Sequence, residues 1–96
     1  MNYYSPLFGK VVDSSLWEEP LHVRVLFVTM LAVKDWDHIV RVEDHHLRRK
    51  ANLTDEQLLD GLNVLSSPDK RTSIPQEFEG RRIERVAEGW KMLNGD

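Results

Sequence analysis

Arg81, Arg82 and Arg85 fall within five positions of the stretch GRRIERVAEGWKMLN, with Lys91 close behind, and Arg48-Arg49-Lys50 form a second cationic run earlier in the chain. Exposed guanidinium and ammonium groups in surplus over carboxylates attract phosphate, because each neutralised phosphate releases condensed counterions. Gln57 and Asn63 carry planar amides of the kind that pair with an adenine edge. Asp55, Glu56 and Asp60 lie in the same segment as those amides, where no Lys or Arg is present. They repel phosphate and suit a protein partner instead. Each cationic run also has a structural explanation. Arg48, Arg49 and Lys50 complement the negative end of a helix at about 0.3–1 kcal/mol each. Glu84 and Glu88 can pair with the later cations, an exposed pair contributing about 0–1 kcal/mol.

Other chemistry finds little support. His45 and His46 are consecutive, so on a helix their side chains diverge by about 100° and do not readily share one ion. His38, Glu43 and Asp44 add weak donors, but no spaced Cys/His framework exists. No metal or cofactor is expected. The chain has no Gly-rich phosphate loop and no nucleophile elbow, so no enzymatic activity is expected either.

The elements that must position these residues can be read in order. Ser15 opens a short helix, with Glu18 as its capping-box partner. Pro20 suits the first turn of the next helix, over 21–34, whose interior is interrupted only by Arg24 and Thr29 and which should lie at the centre of the core. A turn over 35–38 leads to a short strand, 39–42. A helix over 43–51 stops at Asn52, a residue that tolerates the left-handed conformation. Thr54 and Gln57 cap the following helix, in which Leu58, Leu59, Leu62 and Leu65 define a buried stripe. A polar loop over 67–80 precedes a hairpin over 81–94, with Gly89 supplying a positive φ at the end of the connection Ala87-Glu88-Gly89. In that ribbon Ile83 and Arg85 share one face, Trp90 and Met92 pack on the core, and Arg82 and Lys91 point to solvent. Trp17, Trp36 and Trp90 are expected as core or core-edge anchors. Helix, strand, helix, turn, helix, hairpin is the winged-helix order, so the expected class is α+β, mainly α, as one domain over 1–96.

Composition agrees. Ninety-six residues at 41% hydrophobic and 30% charged suit one soluble core. The absence of cysteine removes disulfides and thiolate metal sites. No secretory signal is read, and the longest apolar run, LFVTMLAV, is too short to span a bilayer. A cytoplasmic protein without membrane partners is expected. Net charge is −3, but residues 41–53 and 80–96 each carry four Lys/Arg, against two and three acids. An acidic segment with two Lys/Arg and six acids, 54–79, separates them.

The segments DSSLWEE, VRVLFVTMLAVKDWDHIVRV, LRRKANLTDEQL and LSSPDKRTSIPQEFEGRRIERVAEGWKMLN, over roughly 5–94, resemble the winged-helix domain near the N-terminus of phage and prophage replication-associated proteins. EGRRIERVAEGWKMLN and SSPD carry most of the resemblance. Members of that family usually continue into a longer C-terminal region. They generally have Gly where His38 stands, and Asp-Gly-Gly where this chain has Ala87-Glu88-Gly89. The resemblance implies double-stranded DNA binding in phage replication or gene control, in the cytoplasm of a bacterial host. In that arrangement the third helix commonly enters the major groove and the wing follows the backbone. With Asp55, Glu56 and Asp60 on the third helix, the phosphate-contacting set becomes Arg48, Arg49, Lys50, Arg81, Arg82, Arg85 and Lys91. The alternative is a protein-interaction module that docks a phage or host component through the acidic helix.

Overall fold

Residues 15–68 and 80–93 are described by a computed structural model. The expected helix start at Asp13 and Ser14, most of the 67–80 loop and the hairpin's last residue, Asn94, lie outside the described residues.

A single 3-10 turn, Ser15–Glu18, precedes α1, Leu21–Val33. β1 is Ile39–Val40, α2 is Asp44–Ala51, α3 is Asp55–Ser66, and β2 and β3 are Ile83–Val86 and Gly89–Met92. The molecule is therefore α+β and mainly helical, with three α-helices and one antiparallel sheet in the order β1-β3-β2 among the described residues.

Local chemistry sets the element ends. Pro20, with no N–H to lose, sits at the N-cap of α1. Asn52 closes α2 in the left-handed conformation, φ 58° and ψ 47°. The capping box of α3 is complete: the Gln57 amide donates to Thr54 Oγ1 at 3.1 Å and the Thr54 amide donates to Gln57 Oε1 at 2.9 Å. His38 takes φ 67° in the turn before β1, the conformation a glycine adopts without strain.

Helical periodicity selects what is buried. α1 is apolar on several sides, yet only Val23, Leu26, Phe27 and Met30, one stripe at i, i+3, i+4 and i+7, are fully covered. α2 contributes Leu47 and Ala51, and the sheet contributes Val40, Ile83 and Met92. On α3 the stripe is Leu58, Gly61, Leu62 and Leu65. Leu59, expected in it, is 66% exposed, because it lies about 100° round the helix from Leu58. Gly61 is buried, and a Cβ there would stand 2.7 Å from Leu26 Cδ2. The missing side chain is what lets α1 and α3 approach. Val64 is half-buried for the same reason of phase.

The sheet differs from the expected one in two details. β1 stops at Val40, because Val40 pairs with Trp90 and β3 begins only one residue before that, leaving no strand for Val42. The hairpin turn is the two residues Ala87-Glu88, with Gly89 already paired with Val86 inside β3. Gly89 has the expected positive φ, 152°, and serves a second purpose as well: a Cβ there would stand 2.0 Å from the Val40 carbonyl oxygen. Its bare backbone lets β1 lie against β3.

The tryptophans divide. Trp90 is half-buried against the core, as expected. Trp17 is at the surface, 5.3 Å beneath the Arg24 guanidinium. Trp36 is 91% exposed and anchors nothing. Arg41 bonds Asp35 and Asp37 on either side of it, at 2.8 and 2.6 Å, and holds the turn with the indole on the outside.

Candidate nucleic-acid interface

The candidate surface is built along α2, whose C-terminal end carries one cationic run and whose N-terminal end meets the β2–β3 hairpin. The two ends are separated by the six-residue step from Asp44 to Lys50, about 9 Å along the axis. Arg49 and Lys50 therefore lie towards one end of the helix and Arg85 towards the other.

At the C-terminal end, Arg48 is committed internally. Its Nε lies 3.2 Å from Asp55 Oδ1 and its Nη1 donates to the Leu53 carbonyl at 3.0 Å, so it clasps the corner between α2 and α3. Arg49 and Lys50 are exposed and, with His46, line an open cleft of about 420 Å³. Among the described residues no carboxylate pairs with either.

At the N-terminal end, Arg85 lies 4.7 Å over the Trp90 ring, its partner across the strands, and 3.3 Å from Asp44 Oδ1. Trp90 Nε1 donates to the same oxygen at 3.1 Å. Asp44 also sits in the first turn of α2, where a negative charge is favoured. Arg85, Trp90 and Asp44 together lock the hairpin to α2. Ile83 faces the core with Arg85 beyond it on the same face, as alternation requires.

The other hairpin cations differ from expectation. Arg82 does not point freely to solvent: it is half-buried and its Nη2 donates to Ser15 Oγ at 2.7 Å, tying the hairpin base to the 3-10 turn. Arg81 is also half-buried and has a partner. Lys91 is exposed, opposite Glu84 and Ile39 in register, and has no ion pair among the described residues.

Arg41 joins no cationic surface. Asp35 and Asp37 bond it, and Glu88 Oε2 approaches to 3.6 Å. Its hydrogen bonds hold the Asp37 carboxyl below the usual carboxylate range and raise its own pKa further. Sequence reading missed this clamp, although Asp37 and Arg41 are only four residues apart, because they lie in a turn and beside a short strand and not on a helix face.

The outer face of α3 carries Asp55, Glu56, Gln57, Leu59, Asp60 and Asn63, all exposed. Gln57 has spent its carbonyl oxygen on the cap, which removes the bidentate amide that adenine reading needs. Asn63 remains available on the same face. Asp60 Oδ2 accepts from His22 Nε2 at 2.6 Å, and this contact pins α3 to α1. Sequence reading missed it, because nothing local links positions 38 residues apart.

No helix among the described residues is long and apolar enough to cross a membrane. Searches of the chain against protein families, characterised proteins and solved structures match nothing.

Proposed function

We propose that this chain is a phage-type winged-helix DNA-binding module, acting in phage DNA replication or gene regulation, that grips the sugar-phosphate backbone of a duplex chiefly through Arg49 and Lys50, with Lys91 as a third contact. The carrying observation is that Arg49 and Lys50 stand side by side on α2, exposed, while no acid among the described residues offsets them. Arg41, Arg48 and Arg85, by contrast, each have a carboxylate. Two features support the winged-helix reading: the element order α1-β1-α2-α3-β2-β3, and the strand order β1-β3-β2. Arg48, Arg81, Arg82 and Arg85 become structural in this reading, while Asn63 is left as the one amide of α3 free to reach a base edge. No catalytic step is involved.

Fluorescence anisotropy with a labelled duplex at low salt tests the proposal. Salt-sensitive binding with little sequence preference is expected, and absence of binding overturns it. Glu56→Lys locates α3. Glu56 is exposed and outside the cap, so reversing its charge tightens binding if α3 faces the duplex and leaves it unchanged if α3 faces away.

A second reading rests on α3 itself: Leu59, 66% exposed, is surrounded by Asp55, Glu56 and Asp60. An apolar side chain ringed by acids suits a cationic, amphipathic protein segment. In that case the phage or host partner is released by Leu59→Asp, while duplex binding is unaffected.

A further inference from the structure

Glu43, His45 and His46 surround the start of α2, and the divergence expected of consecutive helical histidines does not occur. The two imidazole rings lie with centroids 4.1 Å apart, tilted by 54°. His45 Nδ1 is 3.4 Å from Glu43 Oε2. One donor atom from each of the three residues falls within 4.8 Å of the other two. Glu43 is the N-cap residue but makes no side-chain capping bond, so its carboxylate is not committed to the helix. All three side chains are exposed and able to adjust.

We propose that Glu43, His45 and His46 form a surface site for one first-row transition-metal dication. A tetrahedral ion with bonds of about 2.0–2.1 Å needs its donors roughly 3.3 Å apart. His45 Nδ1 and Glu43 Oε2 already stand 3.4 Å apart, and the three side chains are exposed, so their rotamers are free to bring the third donor closer. Two imidazole nitrogens and one carboxylate oxygen are donors that suit Zn²⁺, Ni²⁺ or Cu²⁺ and discriminate against Mg²⁺ and Ca²⁺, which take oxygen. Glu43 and His45 line a cleft of about 460 Å³ between α2 and the hairpin, with Glu88 on its far side, while His46 lines the cleft it shares with Arg49 and Lys50. Asp44 stays outside the shell, because Arg85 and Trp90 already hold its carboxylate. The charges oppose one another: the positive end of the α2 dipole and Arg49, one turn on, disfavour a cation, while Glu43, with Glu88 across the cleft, favours it. The outcome is a site of moderate affinity and not a structural centre on which folding depends. The site stands independently of the nucleic-acid reading.

The test is isothermal titration of the full chain with Zn²⁺, with Mg²⁺ as the comparison and imidazole NMR signals as a second readout. The chain has four histidines, and His22→Ala controls for one of the two outside the site, with the His38 signal followed in the NMR spectrum. One equivalent of Zn²⁺ is expected to bind, with the His45 and His46 signals shifting and Mg²⁺ giving no heat. His45→Ala and His46→Ala each weaken binding at least tenfold, Glu43→Gln weakens it less, and His22→Ala leaves it unchanged. The proposal is overturned if no saturable 1:1 binding occurs, or if the His45→Ala/His46→Ala double variant binds Zn²⁺ as tightly as the unaltered chain. Because Glu43, His45 and His46 are exposed, circular dichroism and thermal melts of the variants at these three positions should match those of the parent.

Discussion

How many cations are free to meet a duplex is a countable quantity, and salt dependence counts it. Seven Lys/Arg side chains were candidates on sequence: Arg48, Arg49, Lys50, Arg81, Arg82, Arg85 and Lys91. If all seven displaced counterions, log K would fall with log salt at a slope of about −6.3, since each phosphate contact contributes about −0.9. The structure leaves three without a partner among the described residues, Arg49, Lys50 and Lys91, which sets the slope at about −2.7. Between 50 and 200 mM NaCl the first value corresponds to a loss of several thousandfold in affinity, and the second to roughly 40-fold. The two are easily separated by anisotropy on a short labelled duplex.

The Arg49→Ala/Lys50→Ala variant removes two of the three contacts and should flatten the slope to about −0.9, a fall of only about 3.5-fold over the same range. Both residues are exposed and make no ion pair among the described residues, so the stability lost should be no more than their helix-dipole contribution, about 0.6–2 kcal/mol for the two. Asp44→Asn works in the opposite direction. It weakens the hold on Arg85 while keeping an oxygen for Trp90 Nε1, and should steepen the slope by about 0.9. Three results would refute the reasoning: a parent slope near zero, a slope near −6, or a double variant with the parent's slope. The first denies phosphate contact altogether. The second means that Arg48, Arg81, Arg82 and Arg85 abandon their partners for phosphate. The third places the contact elsewhere.

Gly89→Ala drives a Cβ to 2.0 Å from the Val40 carbonyl oxygen, a backbone atom that cannot rotate away. A loss of about 3 kcal/mol or more is expected, read as a melting temperature lower by roughly 12–24 °C. An unchanged melt would show that β1 does not lie against β3. Thr54→Ala removes one half of the α3 capping box and should cost about 1 kcal/mol in urea unfolding, with Gln57→Ala adding little to it if the two bonds act as one unit. Arg41→Ala should destabilise in a pH-dependent way. The Asp37 carboxyl is held below its ordinary value of 3.8, so the stability it contributes is present above that value and lost as pH falls through the folded pKa. The gap between parent and variant urea midpoints should therefore be open near neutral pH and close in the acid range, and a pH-independent gap would deny Arg41 that role.

Much of the backbone plan was legible because it is written in local chemistry. The Thr54–Gln57 box, the left-handed Asn52, and Pro20 at the start of α1 each depend on residues within four positions of one another. What failed locally failed by phase. Four leucines on α3 fit a helical stripe, but the stripe that is buried is decided by where α1 presses, and α1 presses where Gly61 leaves room for Leu26. Leu59 was therefore counted inside although it lies outside. Trp36 was assigned to the core on its size alone. Its neighbours Asp35 and Asp37, both gripped by Arg41, fix a turn that carries the indole outward.

The candidate site was less legible than the fold, and the reason is sequence separation. A cation is available to a ligand only if it is exposed and has no internal partner, and the sequence reports on the second condition only when the partner is within about one helical turn. Asp37–Arg41 meets that condition. Arg85–Asp44, 41 residues apart, and Arg82–Ser15, 67 apart, do not. The RRIER segment thus looked like the stronger phosphate-binding element, with three arginines against one acid. In the folded chain Arg85 holds the hairpin to α2, Arg82 holds it to the 3-10 turn, and Arg81 also has a partner. Arg49 and Lys50 had an ordinary explanation as complements to the end of a helix dipole, but a dipole does not occupy a side chain as a carboxylate does. The same cations satisfy the helix and remain open to phosphate, so the weaker candidates on sequence become the stronger ones once internal partners are assigned.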